Sequence, residues 1–309
     1  MKWCFFIRVK KVNKKKAVIL VGPTASGKSD VALQLAKKIN GVIINADSRQ
    51  VYKEISIGTA KPVPDRTEND VWYIDNTPHY LFSYVSVKEK YNLYRYQQDV
   101  FELLKKLPKD TIPILVGGTG LYIDAVVFNY KLEKKDNVTE YKDRELITED
   151  IKELQKEIGK EILDKLNEGD RNNPRRLQKI LRSGLPSIEK GEELNHLYFF
   201  LDIDREILKE RISKRVNKMF ESGLLEENIM VREKNLEKYP ALQTIGYQEF
   251  DKYFEKEKSL EEVKEDIITH TNQYAKRQRT WFRRNMKVNY IKDYKELEKK
   301  TLAFISKNR

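Results

Sequence analysis

The sequence predicts an α/β fold, a parallel sheet core with helices on both faces and a helical insertion, and three observations carry that expectation. First, residues 17–21, 42–44 and 112–116 are short continuous apolar runs bounded by glycine or polar residues, the composition of strands buried on both faces. Second, residues 30–39 place apolar side chains at 31, 32, 35, 36 and 39, which is one face of a helix directly after the first strand. Third, residues 124–191 are charged and helical in pattern, contain no strand-like run, and are punctuated by Pro174 and Pro186.

Alternating strands and helices predict parallel pairing. Two later apolar runs, 197–203 and 288–291, read as strands that return to the same sheet. The core is therefore expected to be discontinuous, built from 17–123 and 192–309, with 124–191 inserted and a basic arm over 1–16. At 309 residues with 39% apolar composition, the chain has enough material for such a core. The mixed-charge stretch 131–136 reads as a solvated loop or helix face, and no internal repeat suggests a solenoid.

Lys and Arg outnumber Asp and Glu by 60 to 48, a formal charge of +12. The excess favours an acidic partner, nucleic acid first, although lysines coating solvated helices give the same balance. The single cysteine, Cys4, excludes an internal disulfide framework and a cysteine-based zinc site. His79, His196 and His270 have no metal-ligand spacing and read as packing or hydrogen-bonding residues. No apolar run reaches the length of a membrane span, and residues 3–7 are too short for a secretory core, so a cytoplasmic location is expected.

Gly22-Pro23-Thr24-Ala25-Ser26-Gly27-Lys28-Ser29 satisfies the P-loop pattern, and it has the required strand before it and helix after it. The core is accordingly P-loop NTPase-like. Glycines let the backbone curl so that successive N–H groups point at one anion; Lys28 adds a charge, and the Ser29 hydroxyl suits Mg²⁺. These features fit a diphosphate or longer. A nucleotide kinase or NTPase is one reading, with Asp47 or Asp202 organising the metal.

Three further motifs stand beside the loop: Asp47-Ser48-Arg49-Gln50-Val51-Tyr52, Ile57-Gly58-Thr59-Ala60-Lys61-Pro62, and Gly117-Gly118-Thr119-Gly120-Leu121-Tyr122. In this order the set resembles the tRNA dimethylallyltransferases, also called tRNA isopentenyltransferases. The resemblance continues through Asn173-Pro174-Arg175-Arg176-Leu177, residues 211–219, Gly246-Tyr247 and Lys276-Arg277-Gln278 with Trp281. It implies transfer of a dimethylallyl group from dimethylallyl diphosphate to N6 of the adenosine beside the tRNA anticodon, position 37. It also implies Mg²⁺ as cofactor. On this reading residues Gly22 to Ser29 bind the prenyl donor's diphosphate instead of ATP.

Adenine N6 is a weak nucleophile, so a base that removes its proton as the new bond forms would help. The resemblance assigns that role to Asp47; a carboxylate that merely caps the following turn is the plain alternative. Arg215 is expected to stabilise the leaving diphosphate, and Arg211 lies four residues earlier on the same helix face. Thr24 and Thr119 are expected at the site as well. For tRNA the resemblance implicates Asp47, Ser48, Arg49, Gln50 and Thr119, then Arg175, Arg176, Leu177, Gln178 and Lys179 in the insertion, and Lys276 and Arg277 near the C-terminus.

Around that last pair, Arg279, Arg283 and Arg284 interleave with Trp281 and Phe282. Such a composition suits phosphate contact with stacking; a helix with its aromatics turned inward would look the same, and the resemblance favours RNA contact. The chain departs from the family pattern at Arg175, where Gln is frequent, at Ser56, where Asp is common, and over 81–87. It is expected to act as a monomer.

Overall fold

In the computed structural model, which describes residues 15–132, 150–166, 168–185, 189–284 and 288–307, every residue of β1 (Ala17–Val21) is fully buried. Its side chains alternate between two apolar clusters, with Ala17, Ile19 and Val21 on one face and Val18 and Leu20 on the other. A strand buried on both faces needs this continuous apolar run, and each Val or Ile so buried contributes roughly 1.5–3 kcal/mol.

The chain continues through α1 (Lys28–Ile39), β2 (Gly41–Asn45), β3 (Arg66–Glu68), β4 (Val71–Ile74), β5 (Thr77–Tyr80), α2 (Leu93–Lys106), β6 (Ile112–Gly117) and α3 (Gly120–Val127). After an inserted unit come β7 (His196–Leu201), α8 (Arg205–Glu221), α9 (Leu224–Glu233), α10 (Asp251–Phe254), α11 (Leu260–Phe282), β8 (Asn289–Ile291) and α12 (Tyr294–Ser306). The described residues form one eight-stranded sheet, ordered β3-β4-β5-β2-β6-β1-β7-β8. From β5 to β8 all pairings are parallel, while β3, β4 and β5 form an antiparallel edge. α1 and α12 cover one face through Ala32, Leu35, Ala36 and Leu297. α2, α3 and the end of α11 cover the other through Tyr96, Val100, Phe101, Ile123, Val126 and Phe282.

The parallel sheet and its flanking helices match expectation, and the antiparallel edge is additional. The chain divides into two compact units, 1–129 with 192–309, and 130–191. Helix α3 falls in the first unit, with Ile123, Ala125, Val126 and Val127 buried, so the insertion starts six residues later than the sequence suggested. The second unit contains α4 (Ile151–Ile158), α5 (Lys160–Leu163), α6 (Glu168–Arg171) and α7 (Pro174–Ser183) around Leu154, Ile158, Leu177 and Ile180. α7 begins with Pro174 in its first turn and the Asn173 side chain accepting from the Arg176 N–H. Cys4, Pro186 and residues 1–14 and 133–136 lie outside the described residues. Among the described residues no helix is long and apolar enough to cross a membrane.

Candidate active site

At the carboxyl end of β1 the chain turns sharply at Gly22, where a Cβ would lie 2.9 Å from Ser26 Oγ and 3.1 Å from the Leu201 carbonyl oxygen. Gly27 takes a left-handed φ of 86° just before α1. That helix has no side-chain cap, so its first N–H groups and positive dipole end face the loop interior, the arrangement that holds anions. Three cationic side chains converge on the loop. Lys28 Nζ lies 3.3 Å from the Pro23 oxygen, Arg211 donates to the Ser26 oxygen at 3.2 Å, and Arg215 donates to Thr24 Oγ1 at 3.0 Å. Burial, reinforced by Arg215 and opposed by Asp47, lowers the Lys28 ammonium to about 8. A recessed cation held this uncomfortably is primed for an anionic ligand.

Asp47 lies just beyond β2. The buried Asn45 side chain fixes the strand exit, its Oδ1 accepting from the Asp47 N–H at 2.9 Å and its Nδ2 donating to the Leu81 oxygen at 2.9 Å. Asp47 Oδ1 in turn accepts from the Arg49 N–H at 2.9 Å, so the turn-capping role and a place in the site coexist in one carboxylate. Thr119 ties this turn to the end of β6: its Oγ1 accepts from the Ser48 N–H at 3.0 Å and donates to Ser48 Oγ at 3.3 Å. Such a close approach requires Gly117, whose Cβ would fall 2.1 Å from the Ala46 oxygen. Tyr274 of α11 bonds to Thr119 and Gln278, and burial together with the Asp47 charge pushes its phenol up to about 12.

These groups line two chambers. The smaller, about 150 Å³, is bounded by Lys28, Ser29, Asp30, Gln50, His79 and Phe82; the larger, about 500 Å³, by Ser48, Arg49, Gly58, Thr119, Tyr274 and Arg277. Thr24, Asp47 and Arg215 belong to both walls. An anion in the first chamber and a polar aromatic group in the second would therefore meet at one carboxylate, one hydroxyl and one guanidinium.

Comparison with known proteins identifies the family. A family model described as IPP transferase matches residues 50–285, and one described as isopentenyl transferase matches residues 15–79. The chain belongs to the IPP transferase family. It is 38% identical over 280 residues to a tRNA dimethylallyltransferase of Acholeplasma laidlawii, covering 88% of this chain and 91% of the relative. A tRNA dimethylallyltransferase of Bacillus mycoides is 35% identical over 300 residues, covering 91% and 90%. Among solved structures, the full-length tRNA isopentenylpyrophosphate transferase of Bacillus halodurans superposes with a TM-score of 0.71 at 29% identity, covering 94% of this chain and 97% of that one. A eukaryotic dimethylallyltransferase, described as acting on tRNA, gives 0.67 at 28%, covering 87% and 70%.

Within this IPP transferase the structure does not bring every anticipated residue to the site. Asp202 pairs with Arg279 at 2.7 Å at the end of β7 and is not among the residues lining either chamber, which leaves Asp47 as the strand-end carboxylate facing the phosphate loop. Arg279, engaged by Asp202 and the Ile203 oxygen, braces α11 and does not face a phosphate. Trp281, partly buried, donates to Asp124 at 2.9 Å and Phe282 is fully buried, so both rings pack against the core. Lys276, Arg277, Arg283 and Arg284 remain on the exposed face.

In the inserted unit Leu177 is fully buried in the apolar cluster; it holds α7 in place and has no surface to offer RNA. Arg176 and Lys179 are exposed and Gln178 is half-buried; Arg175 falls in the same helix. The segment 81–87 packs Val85 and Val87 against residues 50–53, with the Ser83 N–H donating to the Gln50 oxygen.

Some contributors are silent in the sequence. The Glu227 carboxylate on α9 accepts the N–H groups of Ser56 at 2.8 Å and of Ile57 and Gly58 at 3.0 Å, and also the Tyr247 hydroxyl. It thereby clamps the turn whose residues Gly58 and Thr59 wall the larger chamber. Thr271 and Tyr274 reach the larger chamber from α11, on positions that a helical pattern alone reads as ordinary interior, while Gln278, already marked by the Lys276-Arg277-Gln278 motif, reaches the smaller one.

Proposed function

We propose that this protein transfers a dimethylallyl group from dimethylallyl diphosphate to N6 of the adenosine adjacent to the anticodon, position 37, of tRNA, forming N6-dimethylallyladenosine and releasing diphosphate. The observation that carries the reading is the wall shared by the two chambers, in which Asp47, Thr24 and Arg215 lie between the phosphate loop and a polar cavity. The diphosphate sits on the open end of α1 against Lys28. The five-carbon chain runs along Val216, Met219 and Ile267, which line the larger chamber. The adenine, drawn out of the anticodon loop where unstacking costs least, enters that chamber past Arg49 and Arg277.

The allylic C–O bond breaks as N6 bonds to the terminal carbon, the Asp47 carboxylate takes the N6 proton, and the electron pair leaves with the diphosphate. Charge gathering on that leaving group meets Lys28, Arg215 and the α1 amides, which are already in place before reaction. The Ser29 hydroxyl at the chamber rim and the singly placed carboxylates suit Mg²⁺, which typically takes one or two protein oxygens and completes its shell with phosphate oxygens and water. Bound there, the ion would neutralise charge on the diphosphate. Lys276, Arg277, Arg176 and Lys179 are the exposed cations assigned to the tRNA backbone, and the protein acts as a cytoplasmic monomer.

The test is incubation with unmodified tRNA, Mg²⁺ and either dimethylallyl diphosphate or ATP. Expected are pyrophosphate release and a mass gain on the target adenosine with the prenyl donor alone, both abolished by EDTA. ATP hydrolysis without modification would reject the reading.

A further inference from the structure

Asn45 closes β2, a strand buried along its whole length, and is itself only 1% exposed. Asparagine is a poor strand former, and a polar residue at a core position is the kind of local departure that marks a functional constraint. Its side chain is fully engaged. Oδ1 accepts the Asp47 N–H at 2.9 Å, and Nδ2 donates to the Asp47 carbonyl oxygen at 3.2 Å and to the Leu81 carbonyl oxygen at 2.9 Å. The peptide groups on both sides of the Asp47 Cα are therefore held by one buried amide.

The support continues beneath Asn45. The Tyr96 hydroxyl of α2 donates to the Asn45 carbonyl oxygen at 3.1 Å, and the Tyr96 ring, fully buried, stacks on Tyr122 of α3 with centroids 4.3 Å apart. The intervening Ala46 is fixed from β6, its N–H donating to the Val116 oxygen at 2.8 Å and its own oxygen accepting the Thr119 N–H at 3.2 Å. Leu81, the third partner of the Asn45 amide, takes a left-handed φ of 64°, a conformation that a leucine keeps only where its surroundings fix it. The next residue, Phe82, lines the smaller chamber beside Asp47. One amide thus ties the turn that carries the carboxylate to the exit of β5, and a fully paired polar group in the interior holds its neighbours in a single arrangement.

We propose that Asn45 is a positioning residue for the transfer reaction: by holding the backbone on both sides of Asp47 it keeps that carboxylate on the wall shared by the two chambers, and the Tyr96 hydroxyl in turn holds Asn45. This rests on the reading of Asp47 as the base. The test is a double-mutant cycle in the full chain, with Asn45→Ala, Asp47→Asn and the two combined, read by single-turnover transfer, by affinities for tRNA and Mg²⁺-pyrophosphate, and by urea unfolding as the control for folding. Asn45→Ala should lower the transfer rate by about 10–10²-fold, the scale on which a displacement near 1 Å acts, and leave both affinities as in the parent. In the Asp47→Asn background the same change should lower the rate by less than about twofold, because the group it positions is already gone. Asn45→Ser keeps an oxygen able to accept the Asp47 N–H, as serine does in such turns, and should recover most of the parent rate.

A fall of equal factor in both backgrounds, a parent-like rate for Asn45→Ala, or a serine variant as slow as the alanine one overturns the proposal and leaves the base assignment intact. Parent-like turnover of Asp47→Asn alone would instead remove the underlying reading. Where Asn45→Ala does not fold, Tyr96→Phe, which deletes one hydroxyl and keeps the stacked ring, enters the same cycle. A rate loss in the parent that vanishes in the Asp47→Asn background supports the proposal, and an equal loss in both, or none in either, contradicts it.

Discussion

Asp47 carries two duties on different atoms. Oδ1 caps the turn by accepting the Arg49 N–H, while the carboxylate as a whole lies on the wall shared by the chambers. Asn at this position keeps an oxygen for the cap and removes only the proton acceptor. Asp47→Asn should therefore leave tRNA affinity within error of the parent and lower single-turnover transfer by about 10²–10⁴-fold, the usual contribution of a placed base. Parent-like turnover would reduce Asp47 to its capping duty. Lys28 offers a pH signature. Its folded value of about 8 lies below the ordinary 10.5, so between these pH values the unfolded chain binds more protons than the folded one. Its own contribution thus makes stability rise with pH across that window, and below it the buried charge costs stability. A bound diphosphate restores the charged form, so binding at about pH 9 should take up a proton from the buffer, and binding near pH 7 should take up almost none. Calorimetry in buffers of different ionisation enthalpy measures this directly; zero uptake at the higher pH would mean that Lys28 does not meet the ligand.

At the scale of elements, strands were legible where both faces are buried and not where one edge is wet. β1, β2 and β6 announce themselves as continuous apolar runs, but Arg66–Glu68 is wholly exposed and β4 is only half-buried, so the antiparallel edge has no apolar signature. The phosphate loop and Asp47 were readable because their chemistry is local in sequence. Glu227 was not, because the turn it clamps lies about 170 residues away and a carboxylate on a half-exposed helix face normally signifies solvation. α11 shows the same limit: its basic residues were visible, but only packing reveals that Arg279 and Trp281 face inward. The clamp has a measurable consequence. Glu227→Ala leaves three backbone N–H groups and the Tyr247 hydroxyl without their acceptor, which should cost about 2–4 kcal/mol in urea unfolding after partial rescue by water. Because Gly58 and Thr59 are then unsupported, KM for tRNA should rise more than KM for the prenyl donor. Unchanged stability would show that the turn holds itself.

At the scale of the molecule, the chain assigns different chemistry to its two compact units. The first contains both chambers, the phosphate loop and the basic C-terminal end of α11; the second is a small helical unit with its own apolar cluster and exposed cations on α7. The second unit's two ends are joined at its base, where Tyr130 bridges to Lys190 and the Lys131 N–H donates to the Glu189 oxygen at 2.8 Å. The first unit closes on its own side, with the Leu194 N–H donating to the Val127 oxygen at 2.9 Å. A segment whose two ends are hydrogen-bonded to each other is removable, because the remaining chain can be rejoined across a short gap. Replacing residues 130–191 by a short Gly-Ser linker should therefore leave a cooperatively unfolding core that binds Mg²⁺-pyrophosphate like the full chain. Its affinity for tRNA should fall, and the slope of log affinity against log salt should become shallower, by about one unit for each phosphate that Arg176 and Lys179 no longer neutralise. Full tRNA affinity with an unchanged slope would place RNA recognition wholly on the first unit, with Lys276 and Arg277 as its principal cations.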